Sequence, residues 1–232
     1  MAAPMASTDG AILRIPRALL LQPIAESLAS EGRTLVWLDS ARGHAATGRW
    51  SVLAWDPWLT LRAAEGGVRR VTSAGSEELA GDPLDVLRQT LAAYQAPTDS
   101  DLPPQASGLL VALGYELGRW IERLPAPKPG GAATPDLLAF GMLNRIVVDA
   151  ELGRSWLITA ADPHQAEAPA RADAHRRLAE MIRLLEAATA EAAPIAPPSA
   201  TESAEIRATL AQPAFEAMVR RAQAYIAAGD IF

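Results

Sequence analysis

The sequence predicts an α+β architecture, and three observations carry that reading. Much of the chain before Pro163 is made of short apolar runs bounded by Gly, Pro and Asp, the pattern of strands and their turns. Two turns, Gly66-Gly67 and Asp149–Gly153, set successive runs side by side. From about Pro163 the apolar period changes to that of a helix. With 232 residues, 50% of them hydrophobic, the chain can bury the core of one large domain or two small ones.

Residues 1–10 are small and polar and read as a loose tail. Thr34–Leu38 is a continuous apolar run and reads as a buried strand. Trp50–Trp55 and Trp58–Leu61 read as two more strands, split at an Asp56-Pro57 turn, and Val68–Thr72 is their partner after Gly66-Gly67. Asp82-Pro83 opens a helix, with Asp as N-cap and Pro at the first helical position. Leu84, Leu87, Leu91 and Tyr94 then fall on one face of it. Gly108–Leu113 is strand-like and runs straight into Gly114–Trp120. Leu137–Val148 is the longest strand candidate and pairs with Ser155–Ala160. In the helical part, Leu178, Met181, Ile182 and Leu185 form an apolar stripe, which assigns Arg176, Arg177, Glu180 and Arg183 to the surface. These elements make one domain over residues 11–191.

Residues 192–212 are rich in Pro, Ala and Ser, the composition of a linker. A last helix starts near Pro213, with Phe215, Met218, Val219, Ala222 and Ile226 on one face and Gly229 at the C-terminal cap. Asp230-Ile231-Phe232 after a capped helix has the look of the first step of another strand, so residues 213–232 are expected to open a second, truncated domain. The alternative is that Phe232 packs back onto the domain before it.

Composition excludes several function classes. The charge of −6 lacks the clustered Lys and Arg that displace phosphate counterions, so nucleic acid is not expected as a partner. Without cysteine there is no disulfide framework, thiolate zinc site or cysteine nucleophile. No run approaches the ~20 apolar residues that span a bilayer, and Gln22-Pro23 interrupts the apolar Ala18–Ile24 segment, so a soluble cytoplasmic protein is expected. The three histidines, His44, His164 and His175, lack metal-ligand spacing, and no metal site is expected. G-x-S-x-G and G-x-x-x-x-G-K-[ST] motifs are absent, and no catalytic constellation is recognisable.

Two clusters invite a functional reading. Leu38-Asp39-Ser40 and Gly48-Arg49-Trp50-Ser51 supply an acid for an ammonium, a cation for a carboxylate and an indole face, a set that suits an amino acid ligand. The same residues also read as a strand end with an Asx-type turn and a surface arginine. Gly114-Tyr115-Glu116-Leu117-Gly118-Arg119 reads as a packed helix start whose Glu and Arg can pair across one turn.

Together these segments resemble the chorismate-utilising enzymes, component I of anthranilate synthase and of aminodeoxychorismate synthase. Leu35–Ser40 resembles their "LLES/LLDS" strand, and Gly48–Pro57 their "GRYSxLGxDP" segment. Leu113–Arg119 with Glu122–Pro125 resembles "GYDLGRxxERLP", and Ala224–Phe232 resembles "xYIxAGDIFQ", the entrance to the family's catalytic domain. The matches occur in order over residues 34–232.

The resemblance implies an N-terminal α+β domain of largely antiparallel sheet with helices packed outside. It implies that chorismate chemistry and the Mg2+ ligands lie in a catalytic part beyond these residues, and that a glutamine amidotransferase partner supplies ammonia. No catalytic residue is expected in this chain, which alone should be inactive. A tryptophan pocket, regulatory in anthranilate synthase and structural in some aminodeoxychorismate synthases, would be lined here by Leu38, Asp39, Ser40, Arg49, Trp50 and Ser51. The family's usual acid is Glu, and Asp39 is one methylene shorter. The segments from Gly48 and from Leu113 stand nearer the folate-branch enzyme, with anthranilate synthase the alternative. A stand-alone tryptophan sensor or an amidotransferase-docking module are the non-enzymatic alternatives.

Overall fold

The computed structural model describes residues 10–40, 48–64, 67–94, 101–124, 134–190 and 208–231. The chain divides into two compact units, Met1–Ala192 and Ala193–Phe232. In the first unit the elements are β1 (Ala11–Ile15), α1 (Gln22–Ser30), β2 (Leu35–Leu38), β3 (Trp50–Ala64), β4 (Gly67–Thr72) and β5 (Gly75–Leu79). They are followed by α2 (Pro83–Ala93), β6 (Leu110–Leu113), a 3-10 turn (Tyr115–Leu117) leading into α3 (Gly118–Ile121), β7 (Leu137–Asp149), β8 (Arg154–Thr159) and α4 (Glu167–Ala190). The second unit holds α5 (Gln212–Ala228).

All eight strands form one antiparallel sheet in the order β1-β8-β7-β3-β4-β5, with β2 also on β3 and β6 also on β7. This follows from the length of β3 and β7, which pair from Trp50↔Asp149 to Ala63↔Leu137. Each outlasts any single neighbour and so carries two along its outer edge. On β3, β2 covers Val52–Trp55 and β4 covers Leu59–Ala64. On β7, β8 covers Asn144–Asp149 and β6 covers Leu137–Phe140.

Side chains alternate between faces along a strand, so β7 sorts the core. Its Ile146 and Val148 pack with Leu53, Trp55 and Leu157 under Leu28 of α1 and Met181 and Leu185 of α4. Its odd-numbered residues lie on the other face. There Val147 joins Val52, Trp156 and Ile158, and Leu137 and Ala139 join Leu59, Leu61, Val86 of α2 and Leu117.

The antiparallel sheet with helices outside is as expected, as are the Asp82 cap of α2 and the β7–β8 hairpin. Asp82 Oδ1 accepts from the Leu84 N–H at 2.7 Å. Other expectations are corrected. Asp56-Pro57 does not split two strands: β3 runs through it, with a register shift between Pro57 and Leu59. At this bulge Asp56 has φ 58°, a left-handed conformation that aspartate adopts more readily than most residues. The β2 strand is not buried, since nothing pairs with its outer edge among the described residues and Leu38 is 52% exposed. In α2 the buried positions are Pro83, Val86 and Thr90, while Leu91 is exposed. Arg177 is buried rather than on the surface, because its guanidinium binds Asp173 and the Ala160 carbonyl. Ala11–Ile15, Gln22–Ser30 and Gly75–Leu79 are elements the sequence pattern did not reveal.

The tail at 1–9, much of the 192–212 linker, Lys128, His44 and Phe232 lie outside the described residues. In α5, Pro213 sits in the first turn and Gly229 caps the C-terminus at φ 79°. Its Phe215, Met218, Val219 and Ile226 are exposed.

Candidate functional site

The sequence-derived site falls where β2 ends beside the start of β3. Leu38 lies opposite Val52, which brings Asp39 beside Ser51 and Ser40 beside Trp50. Ser51 Oγ donates to Asp39 Oδ1 at 3.3 Å, and the Ser40 N–H donates to Ser51 Oγ at 3.1 Å. Ser40 Oγ donates to the Trp50 carbonyl at 2.6 Å. Asp39, Ser40 and Ser51 are thus one hydrogen-bonded group, while Leu38 stands beside it, half exposed at the sheet edge.

Trp50 and Ser51 are adjacent in an extended strand and therefore point to opposite faces. Trp50 lies with Trp156 at a ring separation of 6.1 Å, on the face that carries Val52 and Val147. Arg49 stacks over the Trp50 ring at 4.7 Å and Arg154 over Trp156 at 4.7 Å. Between them sits Asp149, whose side chain is fully buried. Its carboxylate accepts from Arg49 Nε at 3.0 Å and Nη2 at 2.8 Å, and from the Glu151 and Leu152 N–H groups at 3.2 Å each. Arg49 Nη1 also pairs with Glu151 at 3.0 Å. The Arg49 hydrogen bonds hold the Asp149 carboxyl below its usual range despite burial, and Asp149 in turn raises the Arg49 guanidinium. The cation proposed to hold a ligand carboxylate is therefore already bound in a two-pronged pair.

Asp149, Glu151, Arg154 and Trp156 were missed by sequence reasoning. Asp149 is 100 residues from Arg49, and only the β3–β7 register brings them together. A second polar cluster was also missed, at the far end of β2. There Asp56 accepts from Arg33 Nε at 3.1 Å and from Asn144 Nδ2 at 2.9 Å. In the other motif, Glu116 and Arg119 approach to 3.9 Å across one turn, as expected. Gly114 is needed for space, because a Cβ there would meet the Pro135 carbonyl oxygen at 2.4 Å.

Residues 36–232 match the family described as chorismate binding enzyme. The chain belongs to the chorismate-binding enzyme family. Among similar proteins of this family, anthranilate synthase component 1 of Cereibacter sphaeroides is 29% identical over 88% of this chain and 42% of its own length. That of Streptomyces coelicolor is 34% identical over 72% of this chain and 34% of its own length. Aminodeoxychorismate synthase component 1 of Bacillus subtilis is 28% identical over 89% of this chain and 42% of its own length. The chain thus spans about two fifths of the length of such relatives. In fold it is similar to anthranilate synthase component I of Streptococcus pneumoniae, with a TM-score of 0.56, 22% identity and coverage of 83% of this chain and 41% of that one. Among the described residues, no group of three or more His, Asp or Glu could hold a metal ion. No helix among them is long and apolar enough to cross a membrane.

Proposed function

We propose that the chain serves as the N-terminal part of an aminodeoxychorismate synthase component I. Such an enzyme acts in the cytoplasm, aminating chorismate to 4-amino-4-deoxychorismate with ammonia from a glutamine amidotransferase partner, on the way to p-aminobenzoate and folate. What supports this branch is the bound state of Arg49. With its guanidinium on Asp149 and Glu151, and Asp39 engaged by Ser51, the candidate pocket resembles a structural element more than an open amino acid sensor. In this reading Mg2+ would be held by the catalytic part, and no group of three or more His, Asp or Glu among the described residues could hold it.

The test is genetic and chemical. A full-length enzyme that carries this chain as its N-terminal part should restore growth without p-aminobenzoate to a strain lacking aminodeoxychorismate synthase, and should form aminodeoxychorismate from chorismate, ammonia and Mg2+. Rescue of a tryptophan auxotroph alone, with anthranilate as product, would reject the reading. That second reading, anthranilate synthesis, is favoured by the names of most of the similar relatives. A melting experiment adds an independent check. Tryptophan at 100 times its Kd would stabilise a binding protein by about 2.7 kcal/mol, and no rise is expected here at millimolar tryptophan.

A further inference from the structure

Leu109–Leu113 is an uninterrupted apolar run, the pattern of a strand covered on both faces. Yet in β6 Leu110 is only half-buried, and Val111, Ala112 and Leu113 are exposed. The strand pairs with β7 along one edge, and nothing pairs with its other edge among the described residues. Directly opposed residues of an antiparallel pair share a face. Val111 lies opposite Ala139 and Leu113 opposite Leu137, both buried in the core beneath α2 with Leu59 and Leu61. That core therefore runs on across Val111 and Leu113, but its cover stops, and the two side chains are 42% and 60% exposed. The apolar surface continues past the strand. Leu117, buried in the same core, and Trp120, whose Nε1 donates to Asp136 at 3.1 Å, hold the turn that follows β6. Tyr115 is left 96% exposed, with Ile121 and Leu124 exposed after it.

A sheet edge that stays in water is blunted by charge, proline or a bulge. Leu110–Leu113 has no charged residue and no proline, and its register with β7 is unbroken. The surface has the character of a core cut in half, which marks a permanent contact rather than a passing one. Length selects the permanent partner. This chain spans 42% of its Cereibacter sphaeroides relative and 41% of the Streptococcus pneumoniae structure that shares its fold. We propose that β6 and the exposed face around Tyr115 dock the remainder of the same polypeptide, the part that follows residue 232. One of its strands pairs with the open edge of β6, and its apolar side chains close over Val111, Leu113 and Tyr115. The inference rests on the reading of this chain as the N-terminal part of a longer enzyme, and not on which chorismate product that enzyme makes.

The test uses the full-length enzyme that carries this chain. With Tyr115→p-benzoylphenylalanine, irradiation should crosslink this position to peptides beyond residue 232, read by mass spectrometry. In a mixture of light and heavy isotope-labelled chains, each crosslinked pair should carry a single label, since both peptides belong to one polypeptide. Hydrogen exchange of the unaltered enzyme gives a second reading that needs no substitution. Amides of Leu110–Leu113 that point away from β7 should be slowed by about two orders of magnitude or more against an unprotected amide, and equally so on dilution. Pairs of mixed label, pairs confined to residues 1–232, protection that falls on dilution, or fast exchange of these amides would each overturn the proposal. A wrong choice of chorismate product would show instead as anthranilate in the product assay, with both readouts unchanged.

Discussion

Asp56 offers a substitution series in which backbone strain and side-chain bonding can be measured apart. Its φ of 58° suits glycine and is tolerated by aspartate and asparagine, but it crowds the Cβ of alanine. Its carboxylate receives Arg33 and the buried Asn144 amide. Asp56→Gly removes both bonds without strain. Leaving the Asn144 amide unpaired in a site only 1% exposed costs about 1–3 kcal/mol. Asp56→Ala loses the same bonds and adds left-handed strain of about 1–2 kcal/mol, of which the greater unfolded-state freedom of glycine offsets about 0.4–1 kcal/mol.

The alanine variant should therefore be less stable than the glycine variant by about 1 kcal/mol, a difference of roughly 2–4 °C in Tm for a domain of this size. Asp56→Asn keeps an acceptor and the tolerated conformation, and should lie above both. Equilibrium urea unfolding followed by Trp fluorescence gives the ranking, with Trp55 adjacent to the substitution. An alanine variant as stable as the glycine variant would refute the assignment of strain to this bulge.

Four further outcomes are expected. Asp149 has a lowered native pKa, so its contribution is full above about pH 4 and is lost as pH falls through the native value; melts of Asp149→Asn should trail wild type near neutrality, with the gap closing below about pH 4. Leu53→Ala removes a fully buried side chain between α1, α4 and the sheet, and should cost about 2–5 kcal/mol in urea unfolding. Gly114→Ala places a Cβ 2.4 Å from a backbone oxygen and should lower the Tm by several degrees, although the φ of −73° at this glycine is ordinary. Asp82→Ala deletes the α2 cap and should cost about 1 kcal/mol by the same assay.

What the sequence made legible was local. The Asp82-Pro83 start of α2, the Gly229 cap of α5 and the β7–β8 hairpin are each decided by a few neighbouring residues. Gln22-Pro23, which interrupts the apolar run from Ala18, also places Pro in the first turn of α1. The short β1 and β5 lie at the two ends of the sheet order and lack a periodic signal of their own. The site was legible in part for the same reason. The neighbourhood of Asp39, Ser40 and Ser51 follows from one strand pair, whereas the capture of Arg49 by Asp149 depends on a register set across the middle of the sheet.

The bulge at Asp56-Pro57 shows how one residue can reorganise a whole pattern. Leu53, Trp55, Leu59, Leu61 and Ala63 are all odd-numbered, and a regular strand would put them on one face. In the sheet, β3 advances two residues between Pro57 and Leu59 while β7 advances only one, from Met142 to Gly141. The extra residue is Trp58, and it reverses the facing of everything after it. Leu53 and Trp55 pack beneath α1 and α4, while Leu59, Leu61 and Ala63 pack against α2 on the other side. A single strand thus serves two cores on opposite faces. The left-handed turn at Asp56 directs its carboxylate to Asn144, on the same face as Trp55, where Arg33 closes over it. The Asp56-Pro57 turn, which the sequence pattern reads as a break, is the device that lets β3 continue through a change of face.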